Sequence, residues 1–324
     1  MRYLVTGGAG FIGSHLVEHL LSRGDDVVVL DNFSTGNRDN LAPFLSRIQL
    51  IEDTMLDPAV CARAVDGVDY VLHEAAIPSV PRSVADPVGS HEANTTGTLN
   101  LLVAARDAKI RKFVYAASSS AYGNTAELPK HEQMLPRPLS PYAVAKYAGE
   151  CYCRAFHATY GLPTVALRYF NIFGPRQDPT SQYAAAVAKF IASALNNEAP
   201  TIYGDGEQTR DFTYVANAVE ANMRACVASD EANGDVFNVG CGDRVSVNEL
   251  WRRISALAGG AGKANYTDRR AGDVRDSLAS LEKTTRVLGY EPLVTLDEGL
   301  GKTIEFFRKG DIDGRTTAGS AKAV

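Results

Sequence analysis

Residues 1–31 read MRYLVTGGAGFIGSHLVEHLLSRGDDVVVLD. Arg2–Thr6 is a short apolar run that predicts a strand. Phe11–Arg23 carries apolar residues at helical spacing, and Val27–Asp31 predicts a second strand. Between the first strand and the helix, Gly7, Gly10 and Gly13 form a G-x-x-G-x-x-G loop. Such glycines let a backbone turn tightly and approach a pyrophosphate, while the helix N-terminus offers free N–H groups and a positive dipole end. Asp31 ends the second strand, where its carboxylate could bind both hydroxyls of an adenosine ribose and repel a 2′-phosphate. The unit therefore predicts dinucleotide binding, with NAD favoured over NADP. Arg38 lies close enough in sequence to bind a 2′-phosphate, so NADP stays open.

The alternation continues beyond this unit. Strands are expected at Arg47–Glu52, Val68–His73, Lys112–Ala116 and Thr164–Arg168. Helices are expected at Pro58–Val65, Asn94–Ala108 and Tyr142–Tyr160. Strands alternating with helices indicate a parallel sheet covered on both faces, a doubly wound α/β fold of Rossmann type. After about residue 170 the pattern loosens into polar loops at Gly174–Thr180 and Gly204–Arg210, with helical stretches at Ala184–Asn196 and Val247–Leu257. We read residues 1–170 as the dinucleotide-binding domain. Residues 171–308 read as a smaller, mostly helical lobe, partly interleaved with the sheet. Residues 309–324 read as a disordered tail.

Composition narrows the class. The 324 residues are 45% hydrophobic and 22% charged, the balance of a globular protein rather than a disordered or fibrous one. A formal charge of −5 disfavours non-specific binding to nucleic acid or anionic membrane. No run reaches the roughly 18 apolar residues of a membrane span, and the N-terminus lacks a signal-peptide pattern. The five scattered cysteines suggest reduced thiols in a cytoplasmic protein, and no Cys/His spacing suggests a metal site.

Ser140-Pro-Tyr-Ala-Val-Ala-Lys146 contains Tyr142 and Lys146 four residues apart, which places both on one helix face. A free tyrosine, with a pKa of about 10, is a poor base at neutral pH. Lowering it by three units requires about 4 kcal/mol of preference for the phenolate. An ammonium one turn away, with a cationic oxidised nicotinamide nearby, is a source of that preference. Tyr142 could then remove a hydroxyl proton while hydride leaves the same carbon. The serine run Ser118-Ser119-Ser120 follows the Lys112–Ala116 strand, beyond the carboxyl end where open parallel sheets bind ligands.

These motifs resemble the extended short-chain dehydrogenase/reductases, in the nucleotide-sugar epimerase branch. The resemblance covers residues 1–308 and takes in His73-Glu-Ala-Ala76, Arg168 to Arg176 (RYFNIFGPR), Gly204-Asp-Gly206, Arg210-Asp-Phe212 and Arg270 to Arg275 (RAGDVR). Ser79-Val-Pro-Arg-Ser83 with Arg176-Gln-Asp-Pro179 is most similar to bacterial UDP-N-acetylglucosamine 4-epimerases. The resemblance implies that Gly7, Gly10, Phe11, Ile12, Gly13, Asp31 and Asn32 hold NAD, with Ala75, Ala76 and Asn94 lining its cleft. It implies Ser118 as the catalytic serine beside Tyr142 and Lys146, with Lys146 also on the nicotinamide ribose. For the UDP-sugar it implies Ser79, Arg82, Ser119, Ser120, Asn171, Tyr203 and Ser277. It further implies Arg210 and Arg270 on the pyrophosphate and Asp273 on the uridine ribose, with Arg275 a weaker candidate. A homodimer through the Asn94–Ala108 and Tyr142–Tyr160 helices is implied by the same likeness.

One position departs from the pattern. The family often has Gly-Asp-Ile where this chain has Asp53-Thr54-Met55, so Thr54 would replace the acceptor for adenine, or Asp53 would shift in. The chemistry also narrows by comparison. Sugar dehydratases typically carry Thr-Asp-Glu in the serine run, and glucuronate decarboxylases a Glu. Ser118-Ser119-Ser120-Ala121 has no carboxylate, which favours a 4-epimerase. A bulky tyrosine at the Ser277 position accompanies restriction to UDP-glucose and UDP-galactose. A small residue there implies UDP-GlcNAc and UDP-GalNAc, with the unacetylated pair as a second activity. A glucuronate epimerase and a non-catalytic NAD-binding regulator are the alternatives.

Overall fold

The computed structural model describes residues 1–179, 186–260, 262–269 and 274–312, with side chains to Gly310. Seven strands form one parallel sheet: β1 (Arg2–Thr6), β2 (Asp26–Leu30), β3 (Ile48–Ile51), β4 (Tyr70–His73), β5 (Lys112–Ser118), β6 (Thr164–Tyr169) and β7 (Asp235–Val239). Their order is β7-β6-β5-β4-β1-β2-β3. The chain starts at the centre, winds outward to β3, then returns to β4 and winds the other way. The reversal lies between β1 and β4, where the connections diverge and leave a crevice at the strand ends.

Alternation along the strands sends side chains to opposite faces. Val5 and Val29 pack with Leu16, Val17 and Leu20 of α1 (Phe11–Ser22) in one core. Leu4 and Val28 face the other core. There they meet Val60 and Cys61 of α2 (Pro58–Ala64), Leu101 and Leu102 of α3 (Gly97–Asp107), and Cys153 and Phe156 of α4 (Pro141–Tyr160). Helix α4 starts at Pro141 because proline suits the first helical position, and the Ser140 hydroxyl accepts the Ala143 N–H at 3.2 Å. Gly161 ends it at φ +71°.

A third core builds the smaller lobe. It joins α5 (Ala186–Leu195), α7 (Val247–Ala258) and α9 (Leu296–Ile312) around Phe190, Trp251, Leu300 and Ile304. Two further helices, α6 (Val215–Val227) and α8 (Glu282–Leu288), lie against the sheet domain.

The structure departs from expectation in several places. The helix expected over Asn94–Ala108 is divided: a wide turn at Glu92–Thr96 precedes α3. Strand β5 runs two residues further than expected, to Ser118. The sequence reading missed α6, β7 and α9. It also missed three two-stranded pairs in the lobe: Ile172–Phe173 with Thr213–Tyr214, Thr209–Arg210 with Val245–Ser246, and Thr201–Tyr203 with Asn265–Thr267. Helix α9 continues through Gly310 to Ile312, which corrects the expected disorder there. Residues 313–324 lie outside the described residues.

Buried polar contacts fix the sheet domain internally and to the lobe. Arg168 of β6 grips Glu150 of α4 with Nε–Oε2 2.9 Å and Nη2–Oε1 2.6 Å, its guanidinium 4.5 Å from the Tyr122 ring centroid. The Asp211 carboxylate accepts the backbone N–H groups of Cys241, Gly242 and Ala279, which ties the lobe to the loop after β7.

Candidate active site

The crevice at the strand ends opens into one cleft of about 1700 Å³. A single small-molecule site occupies roughly 300–1000 Å³, so there is room for a dinucleotide and a second ligand together.

Gly7, Gly10 and Gly13 line one end of the cleft. Gly7 sits at φ +68°, and a Cβ there would lie 2.7 Å from the Ala75 backbone. A Cβ at Gly13 would lie 2.2 Å from the Gly7 carbonyl oxygen. The loop thus closes on itself, with Gly10 N–H donating to Gly7 O at 2.9 Å. Gly10 caps α1 without a side-chain hydrogen bond, so the first turn keeps its N–H groups for a ligand. This cradle fits a pyrophosphate.

Asp31 is 8% exposed, and burial pushes its carboxyl up. Its oxygens accept the Ala9 N–H at 2.9 Å and the Phe33 N–H at 2.8 Å. Each oxygen retains a lone pair for a hydroxyl donor. Arg38 is engaged elsewhere: it pairs with Glu52, and its guanidinium carbon stands 4.0 Å from the Phe33 ring centroid. Thr54 and Asp53 both line the cleft. The Thr54 hydroxyl accepts the Leu56 N–H at 3.2 Å, and Asp53 pairs with Arg63 at 3.2 Å. Thr54 is thus the less encumbered of the two.

Phe11, Ile12, Asn32, Ala75 and Ala76 lie on the wall as expected. Asn94 does not: it is 1% exposed and sits behind the wall. Its amide oxygen accepts the Ile77 N–H at 2.8 Å, and its Nδ2 donates to Ile77 O at 3.1 Å. It holds the loop that forms the wall, a role that only the packing of the wide turn reveals.

Ser118, Tyr142 and Lys146 all line the cleft. Ser118 accepts the Ser120 hydroxyl at 2.8 Å. Ser119 and Ser120 stand beside it on the same wall. The Lys146 ammonium lies over the Tyr115 ring, 4.8 Å from its centroid. In the protein alone burial pushes Tyr142 up, and the Ser118 hydrogen bond opposes that shift. Lys146 is itself pushed down to about 8 by burial, while Glu74 supports its charge. Burial is thus the leading influence on both groups in the protein alone.

The sugar-side residues divide. Ser79, Arg82, Asn171, Arg210 and Ser277 line the cleft with Ser119 and Ser120. The Asn171 Nδ2 donates to Asp211 O at 3.1 Å, which aims it from the lobe. Tyr203, by contrast, is absent from the cleft wall; it ends the Thr201–Tyr203 strand next to Gly204, which lines a smaller cavity. Arg275 lines that smaller cavity too and pairs with Asp205 at 2.8 Å. Arg270 and Asp273 lie outside the described residues. Among the cleft residues to which the sequence reading gave no role are Glu74 and Tyr169, hydrogen-bonded to each other at 2.8 Å. The visible signal was a lone carboxylate at the end of the apolar Tyr70–His73 strand.

A dinucleotide cradle joined to a Ser/Tyr/Lys group in one cleft defines a nucleotide-dependent oxidoreductase-type site. Residues 3–240 match the model of the NAD dependent epimerase/dehydratase family, and the chain belongs to that family. Its cofactor is NAD. A UDP-glucose 4-epimerase of Mycolicibacterium smegmatis is 39% identical over 95% of this chain and 99% of its own. The UDP-N-acetylglucosamine 4-epimerase of Methanobrevibacter ruminantium, solved with UDP-N-acetylmuramic acid, superposes at TM-score 0.90 with 39% identity over 95% of this chain and 98% of its own. The UDP-glucuronic acid 4-epimerase of Bacillus cereus, solved with UDP-glucuronic acid and NAD, gives TM-score 0.89 and 33% identity over 95% and 99%. These relatives are named for three different sugars at similar resemblance.

Proposed function

We propose that this protein is a UDP-sugar 4-epimerase that interconverts UDP-GlcNAc with UDP-GalNAc, and UDP-Glc with UDP-Gal as a second activity. The observation carrying the 4-epimerase reading is the convergence of Ser118, Tyr142 and a buried Lys146 in one cleft whose serine run bears no carboxylate. Epimerisation needs only reversible oxidation at one carbon. NAD, when bound, takes up the C4 hydride and gives it back.

The chain's residues handle the proton and the pose. Tyr142 Oη takes the C4 hydroxyl proton, and Ser118 hydrogen-bonds that oxygen to hold it near Tyr142. Lys146 stabilises the phenolate form of Tyr142 that accepts this proton. The 4-keto sugar turns over in the cleft, and Tyr142 returns its proton to the ketone oxygen. Arg210 binds the diphosphate with its forked donors, and Asn171 aims at the same end from the lobe. We assign the cofactor to residues 1–170 and the sugar nucleotide to residues 171–308, with Arg270 and Asp273 as further substrate contacts.

Sugar choice rests on Ser277, a small side chain on the cleft wall. A nucleotide-sugar panel without added cofactor, resolved by chromatography, tests the reading. Conversion of UDP-GlcNAc to UDP-GalNAc supports it, whereas turnover confined to UDP-Glc or UDP-GlcA overturns the sugar assignment. Ser277→Tyr is expected to lose the acetylated pair by roughly 10–200-fold, the range of pocket discrimination by size, and to keep UDP-Glc. Equal loss of both pairs would remove Ser277 as the gate.

We also infer a homodimer through α3 and α4. Val84, Val88 and Val144 stand 64%, 66% and 52% exposed on or beside that helix pair, and a second copy would cover them. Sedimentation of a single monomeric species at micromolar concentration would refute it. Among the described residues, no helix is long and apolar enough to cross a membrane. The free cysteines fit a reducing compartment, and we place the protein in the cytoplasm.

A further inference from the structure

Behind the cleft wall, a run of buried polar groups joins the glycine loop to the wall itself. Thr6 ends β1 immediately before Gly7, His73 ends β4, and Thr98 stands in the first turn of α3. All three are fully buried, and none is among the residues that line the cleft. The wall comes into contact with the loop here: a Cβ on Gly7 would lie 2.7 Å from both Ala75 N and Ala75 Cα.

Donor and acceptor capacity fixes the direction of each bond. A carbonyl oxygen only accepts, so the Thr98 hydroxyl gives its hydrogen to Asn94 O at 2.8 Å. Its oxygen, 2.8 Å from His73 Nε2, is left to accept, and Nε2 must carry the ring proton. The neutral imidazole then offers Nδ1 as an acceptor. The Thr6 hydroxyl, 2.7 Å from Nδ1, donates to it, and the same oxygen accepts the Ala75 N–H at 3.2 Å. The bonds thus run head to tail from Ala75 N–H through Thr6, His73 and Thr98 to Asn94 O, an order in which each polarises the next. Asn94 closes the circuit, because its amide holds the Ile77 backbone at both N–H and C=O. The wall is therefore fixed at two points, Ala75 and Ile77. A protonated imidazole would break the order, since Nδ1 would donate and the Thr6 hydroxyl hydrogen would lose its acceptor. The Phe113 and Tyr115 rings flank His73, with centroids 5.7 and 5.5 Å away. Burial, with the Lys146 charge beside it, pushes the imidazole down to about 3, which agrees with the neutral form.

We propose that His73 is a positioning residue: a neutral imidazole, protonated at Nε2, that locks wall residues 75–77 in register with the glycine loop through Thr6 and Thr98. The consequence for NAD rests on the placing of the cofactor at the glycine-loop end, whereas the tautomer and the lock do not.

The test separates the two. Holoenzyme labelled with 15N-histidine reports the tautomer by NMR at neutral pH. The His73 ring is the one perturbed in Thr98→Val, which removes the Nε2 acceptor and keeps the side chain's shape. In the unaltered protein Nε2 is expected as the protonated nitrogen and Nδ1 as the bare one. A proton on Nδ1 overturns the proposal. Thr98→Val is also expected to quicken amide exchange at Ala75 and Ile77, and to release NAD about tenfold faster on dialysis, the scale of one buried hydrogen bond left unmade. Thr98→Ser, which restores the hydroxyl, is expected to recover both. Unchanged exchange in Thr98→Val overturns the lock, whatever the NAD does, and so do equal losses in Thr98→Val and Thr98→Ser. Faster exchange with unchanged NAD release supports the lock and counts against the cofactor placement alone. Thr6→Val with Thr6→Ser is a second pair with the same expected directions, and it replaces the first if Thr98→Val does not fold.

Discussion

Tyr142→Phe is expected to lower kcat by about 10²–10⁴-fold, the range of a lost general acid–base group. That corresponds to roughly 3–5 kcal/mol of transition-state stabilisation. The reason lies in the geometry. Ser118 can orient the sugar hydroxyl, but it has no neighbouring base, because the residues around it are Ser119, Ser120 and Tyr142. Lys146 is buried against Tyr115 and cannot stand in as the proton acceptor while it carries a charge. The fold should be unaffected, since phenylalanine keeps the ring and removes only the hydroxyl, on a residue that lines the cleft. NAD should still purify with the variant. Chromatographic turnover and NAD release on denaturation check both halves. Full epimerisation by Tyr142→Phe would sink the proposed base.

Gly13→Ala is expected to abolish NAD retention. The added Cβ would sit 2.2 Å from the Gly7 carbonyl oxygen, 2.8 Å from its carbon and 2.9 Å from Gly8 Cα. All three are backbone atoms, so no flexible side chain can yield. The first turn of α1 must move away from the loop, and the N–H groups that would meet the pyrophosphate move with it. A displacement of about 1 Å at such a site costs about 10²-fold or more. Gly301→Ala is the control: nothing lies within 4 Å of its added Cβ, and it stands inside α9. There alanine should stabilise the helix by about 0.5–1 kcal/mol and leave NAD in place. Bound NAD, read by absorbance after denaturation, distinguishes the two. Retention of NAD by Gly13→Ala would show that the loop does not cradle the cofactor.

The two experiments probe features of different legibility. The glycine loop and the Tyr142/Lys146 pair were readable because each is a local relation. Backbone sterics dictate the first within seven residues, and helical geometry dictates the second within five. Asp31 was readable because it falls at the end of the strand that follows the loop and its helix, although the Ala9 N–H it accepts is 22 residues away. The sheet's first six strands followed from apolar runs bounded by turns.

The remainder depended on packing between distant segments. Strand β7 pairs with β6 although Asn238 and its partner Arg168 lie 70 positions apart in sequence, and neither periodicity nor composition marks that pairing. Asn94 looked like a cleft residue until the wide turn aimed its amide at Ile77. The pKa of Tyr142 followed burial rather than the nearby lysine, because desolvation depends on every atom around the hydroxyl. Glu74 carried no signal beyond being a charge at the end of an apolar strand. Its partners Tyr169 and Asn222 come from β6 and α6, so only the folded chain could bring them to it. Short-range backbone geometry wrote the cofactor loop and the proton-transfer pair into the sequence. The charge state of that pair was decided by tertiary burial, because solvation is a property of the assembled surroundings and not of any one segment.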